Sequence, residues 1–128
     1  MWHLALIALG GMAGALARYG LSRFVQLSSG DVFPWGTLAV NLSGCLAIGM
    51  VYELFDRAVI PSDLRSLVTI GFLGAYTTFS TYSLETINLL RDGELRMLLS
   101  NIVINNGLGL MLVVVGMHGA RAIINLAR

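Results

Sequence analysis

The residues with chemistry to offer are few, and most lie where an apolar helix should be. From Thr77 to Glu85 the chain reads Thr-Thr-Phe-Ser-Thr-Tyr-Ser-Leu-Glu, with a polar side-chain group everywhere except Phe79 and Leu84. That run sits inside a long apolar stretch, where each polar group must face protein or water because lipid offers no partner. Gly74 followed by the β-branched pair Thr77 and Thr78 predicts a local break. A break frees backbone carbonyls at membrane depth, and carbonyls converging on a symmetry axis suit a hard cation. The hydroxyls can instead bond back to carbonyls one turn earlier and only bend the helix. Phe79 and Tyr82 are three apart and share a face. Ring edges carry positive potential and can touch an anion without holding it strongly, although core packing is the ordinary use of such a pair. Glu85 is the carboxylate deepest in the apolar runs, and a partner such as Arg18 is its plain structural alternative to a functional role.

Four further positions stand out. Asn41 shares a helical stripe with Thr37 and Gly44. Its amide donates two hydrogen bonds without carrying charge, which suits a dehydrated small anion and equally suits glue between packed helices. Arg18 lies midway along the first apolar run, as an anion attractor at a vestibule or as a side chain snorkelling to the interface. Asn101 and Asn105 are i, i+4 and can line a polar track that ends at the apolar stretch after Gly109. His3 and His118 lie too near the span ends to read as buried proton relays.

The elements that must position these residues follow from composition. Of 128 residues, 56% are hydrophobic, 15 are glycine and only 12% are charged. A soluble domain carries about 25% charge. Mean hydropathy is +0.78. Four stretches meet the length of about 20 apolar residues that a membrane helix needs: 2–27, 34–54, 64–90 and 95–126. The spacers carry Gly, Pro, Ser and Asp, and Ser62 or Asp63 is the expected N-cap of the third span. The expected fold is all-α, one four-helix transmembrane domain over residues 1–128, multi-pass in a cell membrane. Gly10 or Gly11 with Gly14 has the small-xxx-small spacing of close helix packing. The N-terminus offers no basic n-region, so a signal peptide is not expected.

Charge placement bears on orientation. With four spans, Arg57, Arg65, Arg121 and Arg128 fall on one side, and Arg23, Arg91 and Arg96 on the other. This balance leaves either a misplaced span end or a chain that inserts both ways up. A dual-topology chain builds an antiparallel dimer about an axis in the membrane plane. Several classes are excluded. Net charge is +1 with no basic face for nucleic acid. The lone Cys45 has no disulfide or zinc partner, and no catalytic constellation is present. A passive or coupled transporter is what remains.

Three motifs carry a resemblance. Gly-Gly-x-x-Gly-Ala-x-x-Arg-Tyr (10–19), Gly-Thr-Leu-x-Val-Asn-x-x-Gly (36–44) and Gly-Phe-x-Gly-x-x-Thr-Thr-Phe-Ser-Thr (71–81) resemble the Fluc (CrcB) fluoride channels in type, order and span. The resemblance implies an antiparallel dual-topology dimer with two pores, each passing F⁻ passively and excluding chloride. It implies a structural Na⁺ on the dimer axis held by the carbonyls of Gly74 and Thr77. It places Asn41, Phe79, Tyr82, Ser80, Thr81, Asn101, Asn105 and Thr37 along the fluoride path, with Arg18 and Glu85 as the associated charges. The partner is a second copy or a paralogous subunit, and the physiological role is lowering cytoplasmic fluoride. The chain departs from the family pattern at Ala75 (usually Gly), Tyr82 (usually Phe), and Gly109 and Val113 (usually hydroxyl residues). Two other readings compete. One is a small multidrug-type proton-coupled antiporter, whose glutamate belongs in the first span rather than the third. The other is a non-conducting subunit of a heterodimeric channel.

Overall fold

A computed structural model describes residues 2–57 and 60–126. Arg128, one of the arginines weighed for orientation, lies outside the described residues. Apart from its connections and one break, the described chain is helical, in four passes. Helix α1 spans Trp2–Ser29 and α2 spans Trp35–Arg57. The third pass is split into α3, residues 62–76, and α4, Phe79–Arg91. The fourth is α5, Leu95–Leu126. Helices α1, α2 and α5 are 28, 23 and 32 residues long and apolar enough to cross a membrane. At 1.5 Å per residue each exceeds a hydrocarbon core about 30 Å thick. Neither half of the third pass is long enough alone.

Span ends expected from the apolar runs fall within a few residues of the observed ones. The helices continue into the polar spacers because Ser28 and Ser29 bond back to Phe24 O and Val25 O. The connections are set by backbone chemistry. Gly93 has φ 77°. Glu94 N donates to Leu89 O and Gly93 N to Leu90 O, a Schellman close of α4 that only a left-handed residue completes cheaply. At the entrances of α2 and α3, Pro34 O and Pro61 O accept the first helical bonds, from Leu38 N and Arg65 N, each at 3.1 Å. Pro61 therefore occupies the N-cap position expected for Ser62 or Asp63, with φ −55° and ψ 139°. Asp63 sits one position inside the helix and bonds His3 Nδ1 at 2.8 Å instead, tying the start of α1 to the start of α3.

Close approach through glycine decides which helices pair. Gly10 and Gly14 of α1 lie against the backbone of α3 at Leu67 O and Phe72 O, whereas Gly11 is left to one side. The same stretch of α3, Leu67–Leu73, is wound as a π-helix. Its wider turn presents backbone rather than side chains to α1. Helices α2 and α5 pair through Gly49, against Val113 O, and Gly116, against Leu46 O. A second π stretch, Ile104–Leu108, widens α5 where it carries Asn105 and Asn106. The core between the passes is small: Val40, Leu38, Leu73, Leu89 and Ala120 are buried. Most other large apolar side chains face outward, as a lipid-solvated surface requires.

At one end of the α2–α5 pair, Glu53 is 3% exposed. It accepts from Arg57 on its own helix and from Arg121 Nε of α5 at 3.0 Å. Arg57 at i+4 is a pairing readable from spacing. Arg121 is not, and this clamp was no part of the sequence expectation.

Candidate functional site

The third pass breaks at Thr77–Thr78, three residues beyond Gly74, which keeps helical angles (φ −64°, ψ −35°). Thr77 has ψ 157° and Thr78 has φ −146°, ψ 114°, so two consecutive residues are extended. The break is held by Asn41 of α2. Its Oδ1 accepts from Thr78 N at 2.9 Å, and its Nδ2 donates to Thr78 O at 3.2 Å. One side-chain amide thus replaces the backbone partners that the unwound residue has lost. Thr78 Oγ1 then caps α4 by accepting from Thr81 N at 3.2 Å, and it also bonds Thr81 Oγ1 at 3.0 Å.

These bonds continue into α5 as a directional chain. Asn41 Nδ2 also donates to Asn105 Oδ1 at 3.2 Å. Asn105 Nδ2 donates to Asn101 Oδ1 at 2.7 Å, Asn101 Nδ2 to Thr86 Oγ1 at 2.9 Å, and Thr86 Oγ1 to Tyr82 O at 2.7 Å. Each amide orientation is fixed chemically, because at every step a carbonyl or an N–H permits only one choice. Two consequences bear on the expected roles. Both hydrogens of Asn41 are spent inside the chain, so its first task is the glue between helices, here applied to a break. Asn101 is 1% exposed and lies beneath Asn105 rather than along an open surface.

A cavity of about 370 Å³ lies over this network, lined by Asn41, Thr77, Thr78, Phe79, Tyr82, Asn105 and Asn106 among others. Among the described residues it is lined by no Asp, Glu, Arg or His side chain. Phe79 and Tyr82 come together as expected, ring centroids 5.6 Å apart and planes tilted by 54°. They differ in environment: Tyr82 is 9% exposed and Phe79 77%. A second cavity of about 530 Å³ lies on the other side of the break, lined by Arg18, Arg23, Ser22, Thr37, Thr78 and Thr81. Thr78 lines both. The first turn of α4 starts at that junction, where the amides of its first residues have no intrahelical acceptor and carry partial positive charge.

Glu85 does not pair with Arg18. Its Oε1 accepts from Thr37 Oγ1 at 2.8 Å, its Oε2 is buried without a partner among the described residues, and Glu85 lines a third cavity with Gln26, Asn88 and Asp92. Ser80 and Thr81 are exposed at the start of α4. The departures from the family pattern also find their places. Gly109 packs under Cys45, and the Val113 carbonyl packs on Gly49, so both serve the α2–α5 contact. Two residues of the site have roles that the sequence reading did not assign: Thr78 was expected at the break but not as a cap, and Asn106 was given no role. Thr78 had a legible signal, since Thr-x-x-Thr at a break is a capping pattern. Asn106, which donates to Tyr82 Oη at 3.0 Å, had none, because its partner is on another helix.

Comparison with known proteins agrees with this architecture. Residues 5–117 match the family model described as "CrcB-like protein, Camphor Resistance (CrcB)". A protein of Citrifermentans bemidjiense is 48% identical over 124 residues, covering 96% of this chain and all of its own. One from Magnetococcus marinus is 49% identical over 102 residues, 79% of this chain and 83% of its own, and one from Salinibacter ruber is 47% identical over 116 residues, 91% and 87%. Each of the three relatives is named "Fluoride-specific ion channel FluC". With the family match covering most of the chain and several helices able to cross a bilayer, this multi-pass membrane protein belongs to the CrcB family.

Proposed function

We propose that the chain is a passive, fluoride-selective channel that lets F⁻ leave the cytoplasm down its electrochemical gradient. The observation that carries this reading is a cavity furnished with neutral hydroxyls, amides and two aromatic rings and, among the described residues, free of charged side chains, adjoining a second cavity that holds Arg18 and Arg23. The arginines raise the local anion concentration. At Thr78 the anion passes to neutral groups that replace part of its water without trapping it. Fluoride is small and a strong hydrogen-bond acceptor, so it gains most from such donors, whereas chloride is larger and gains less. The relatives named as fluoride-specific channels support the same substrate. A proton-coupled antiporter needs a titratable carboxylate in its transport cavity, and this one has none among the described residues.

The working unit in this reading is an antiparallel homodimer in the inner membrane. Phe79, Ser80, Thr81 and Asn106 are exposed on a single chain, and three of them carry polar groups whose remaining hydrogen-bonding capacity lipid cannot fill. A second copy would cover them. The same dimer would hold a structural Na⁺ on its axis through the carbonyls of Gly74 and Thr77. Their fit is chemical. In an unbroken helix these two oxygens would accept from Thr78 N and Thr81 N, and both amides are diverted, to Asn41 Oδ1 and to Thr78 Oγ1. Two freed carbonyls per chain, four per dimer, make a neutral oxygen cage for a hard cation. The ion would neutralise their partial charge and so pin the two breaks together.

The test is reconstitution of the purified chain alone in liposomes, with efflux followed by an ion-selective electrode. The expected result is rapid F⁻ efflux with chloride excluded and no dependence on a pH gradient. Equal chloride flux, or no flux at all, sinks the homodimeric channel reading.

A further inference from the structure

Tyr82 stands where the family pattern has Phe, and its hydroxyl is held in a way that gives it a task. Asn106 Nδ2 lies 2.8 Å from Ile102 O and 3.0 Å from Tyr82 Oη. Ile102 O can only accept, so the amide nitrogen must face it, and the second hydrogen on that nitrogen is the one that reaches Tyr82. Tyr82 Oη is therefore an acceptor in this contact. Its own hydrogen is left over and has no acceptor among the described residues. Tyr82 and Asn106 both line the 370 Å³ cavity. The π stretch Ile104–Leu108 makes this arrangement possible, because consecutive residues serve two partners there: Asn105 meets Asn41, and Asn106 meets Tyr82.

We propose that Tyr82 is a hydrogen-bond donor to the anion in this chain and that Asn106 is the positioning residue that fixes its direction. By occupying the oxygen's lone pair, Asn106 turns the O–H toward the cavity and polarises it. A donor of this kind forms a shorter, stronger bond to a small, charge-dense anion than to a large one. It therefore adds selectivity that a phenyl edge does not supply. The flux part of the test rests on the channel reading above, and the spectroscopic part does not.

Four proteins decide it: wild type, Tyr82→Phe, Asn106→Leu and the double variant, each checked for folding by size-exclusion profile. Asn106→Ser, which keeps a hydroxyl but loses the reach, replaces Asn106→Leu if the latter does not fold. The first readout is the Raman Fermi doublet of tyrosine in detergent, taken as the difference from Tyr82→Phe, which reports whether a phenol donates or accepts. Exchanging NaCl for NaF is expected to shift the doublet in wild type and not in Asn106→Leu. The second readout is F⁻ efflux from liposomes with the F⁻/Cl⁻ ratio. Each single variant is expected to lower that ratio about tenfold, and the double variant no further, since Asn106 acts only through the phenol. The inference is overturned by a doublet indifferent to NaF, by an Asn106→Leu protein that shifts like wild type, or by additive losses in the double variant. A NaF-specific shift without any flux would overturn the channel reading and leave the Tyr82 donor standing.

Discussion

Asn41 is the residue on which the break depends, and removing its amide should undo both structure and flux. The side chain makes three bonds at once: from Thr78 N, to Thr78 O and to Asn105 Oδ1. Asn41→Leu keeps the branched shape and the number of side-chain heavy atoms and leaves all three groups without partners at membrane depth. An orphaned buried polar group costs about 1–3 kcal/mol. Side-chain bonds between membrane helices often measure only about 0.6 kcal/mol, because the reference state finds other partners. While the break stands, Thr78 N and O have no intrahelical partner, so the higher scale applies to those two and the lower to Asn105. The sum is about 3–7 kcal/mol, and 1.4 kcal/mol is a factor of ten in population. The intact break should thus become at least a hundredfold rarer relative to a rewound or collapsed third pass. Asn41→Asp separates geometry from charge. It keeps the acceptor for Thr78 N but sets a carboxylate oxygen against Thr78 O and Asn105 Oδ1, two acceptors that repel it. The assay is liposome efflux at matched protein density, with melting temperature in detergent as the measure of the fold. Both variants should lose flux at least tenfold, and Asn41→Leu should melt lower. Wild-type flux in Asn41→Leu would refute the reasoning, since the break would then stand without its clamp.

Other outcomes follow from the same geometry. Thr78→Val removes the cap on Thr81 N while keeping shape, so it should cost about 1 kcal/mol in thermal unfolding and reduce flux, whereas Thr78→Ser should retain both. Gly14→Val should abolish the folded size-exclusion peak, because any Cβ there meets the Phe72 carbonyl, which is backbone and cannot turn aside. Gly20→Ala has open space and should be neutral or more stable by about 0.5–1 kcal/mol. A Gly20→Ala protein that melts lower would count against the assigned helix packing. Glu53→Gln leaves Arg57 and Arg121 without their shared carboxylate and should lower the melting temperature more than Arg57→Gln, after which Arg121 still holds Glu53. Equal shifts from the two would show that Arg121 does not take part.

The fold was legible where a single helix decides it. Four apolar runs marked four passes because burial in lipid is a property of each segment alone. The glycine spacing in α1 marked a close-packed face because that face is periodic along one helix. The π turn of α3 was not legible, because it arises from the fit of two backbones. The N-cap of α3 was misread because Pro61 competes for the position and Asp63 finds a better partner in His3, sixty residues away. At the site, Phe79 and Tyr82 were placed together correctly from an i, i+3 relation. Asn101 and Asn105 were grouped correctly, but which of them faces a cavity depends on what α4 lays over them. Glu85 was a candidate partner for Arg18, and the neighbouring Thr37 hydroxyl took its place.

The sequence by itself determined that this chain lives in a bilayer, crosses it four times, interrupts its third pass and carries neutral polar groups there. Those are consequences of composition and local pattern, and no neighbour is needed to enforce them. Tertiary structure decided what each polar group does. It brought Asn41 to Thr78, a contact thirty-seven residues apart in sequence, and so moved the break past Gly74 to the residues an amide could hold. It spent the amides of Asn41, Asn101 and Asn105 on one chain of bonds ending at Thr86, and left the Tyr82 hydroxyl hydrogen without an acceptor among the described residues. The physical reason is that a hydrogen bond has one donor and one direction. Residue types state what can be offered, and only the packing of helices states who receives it.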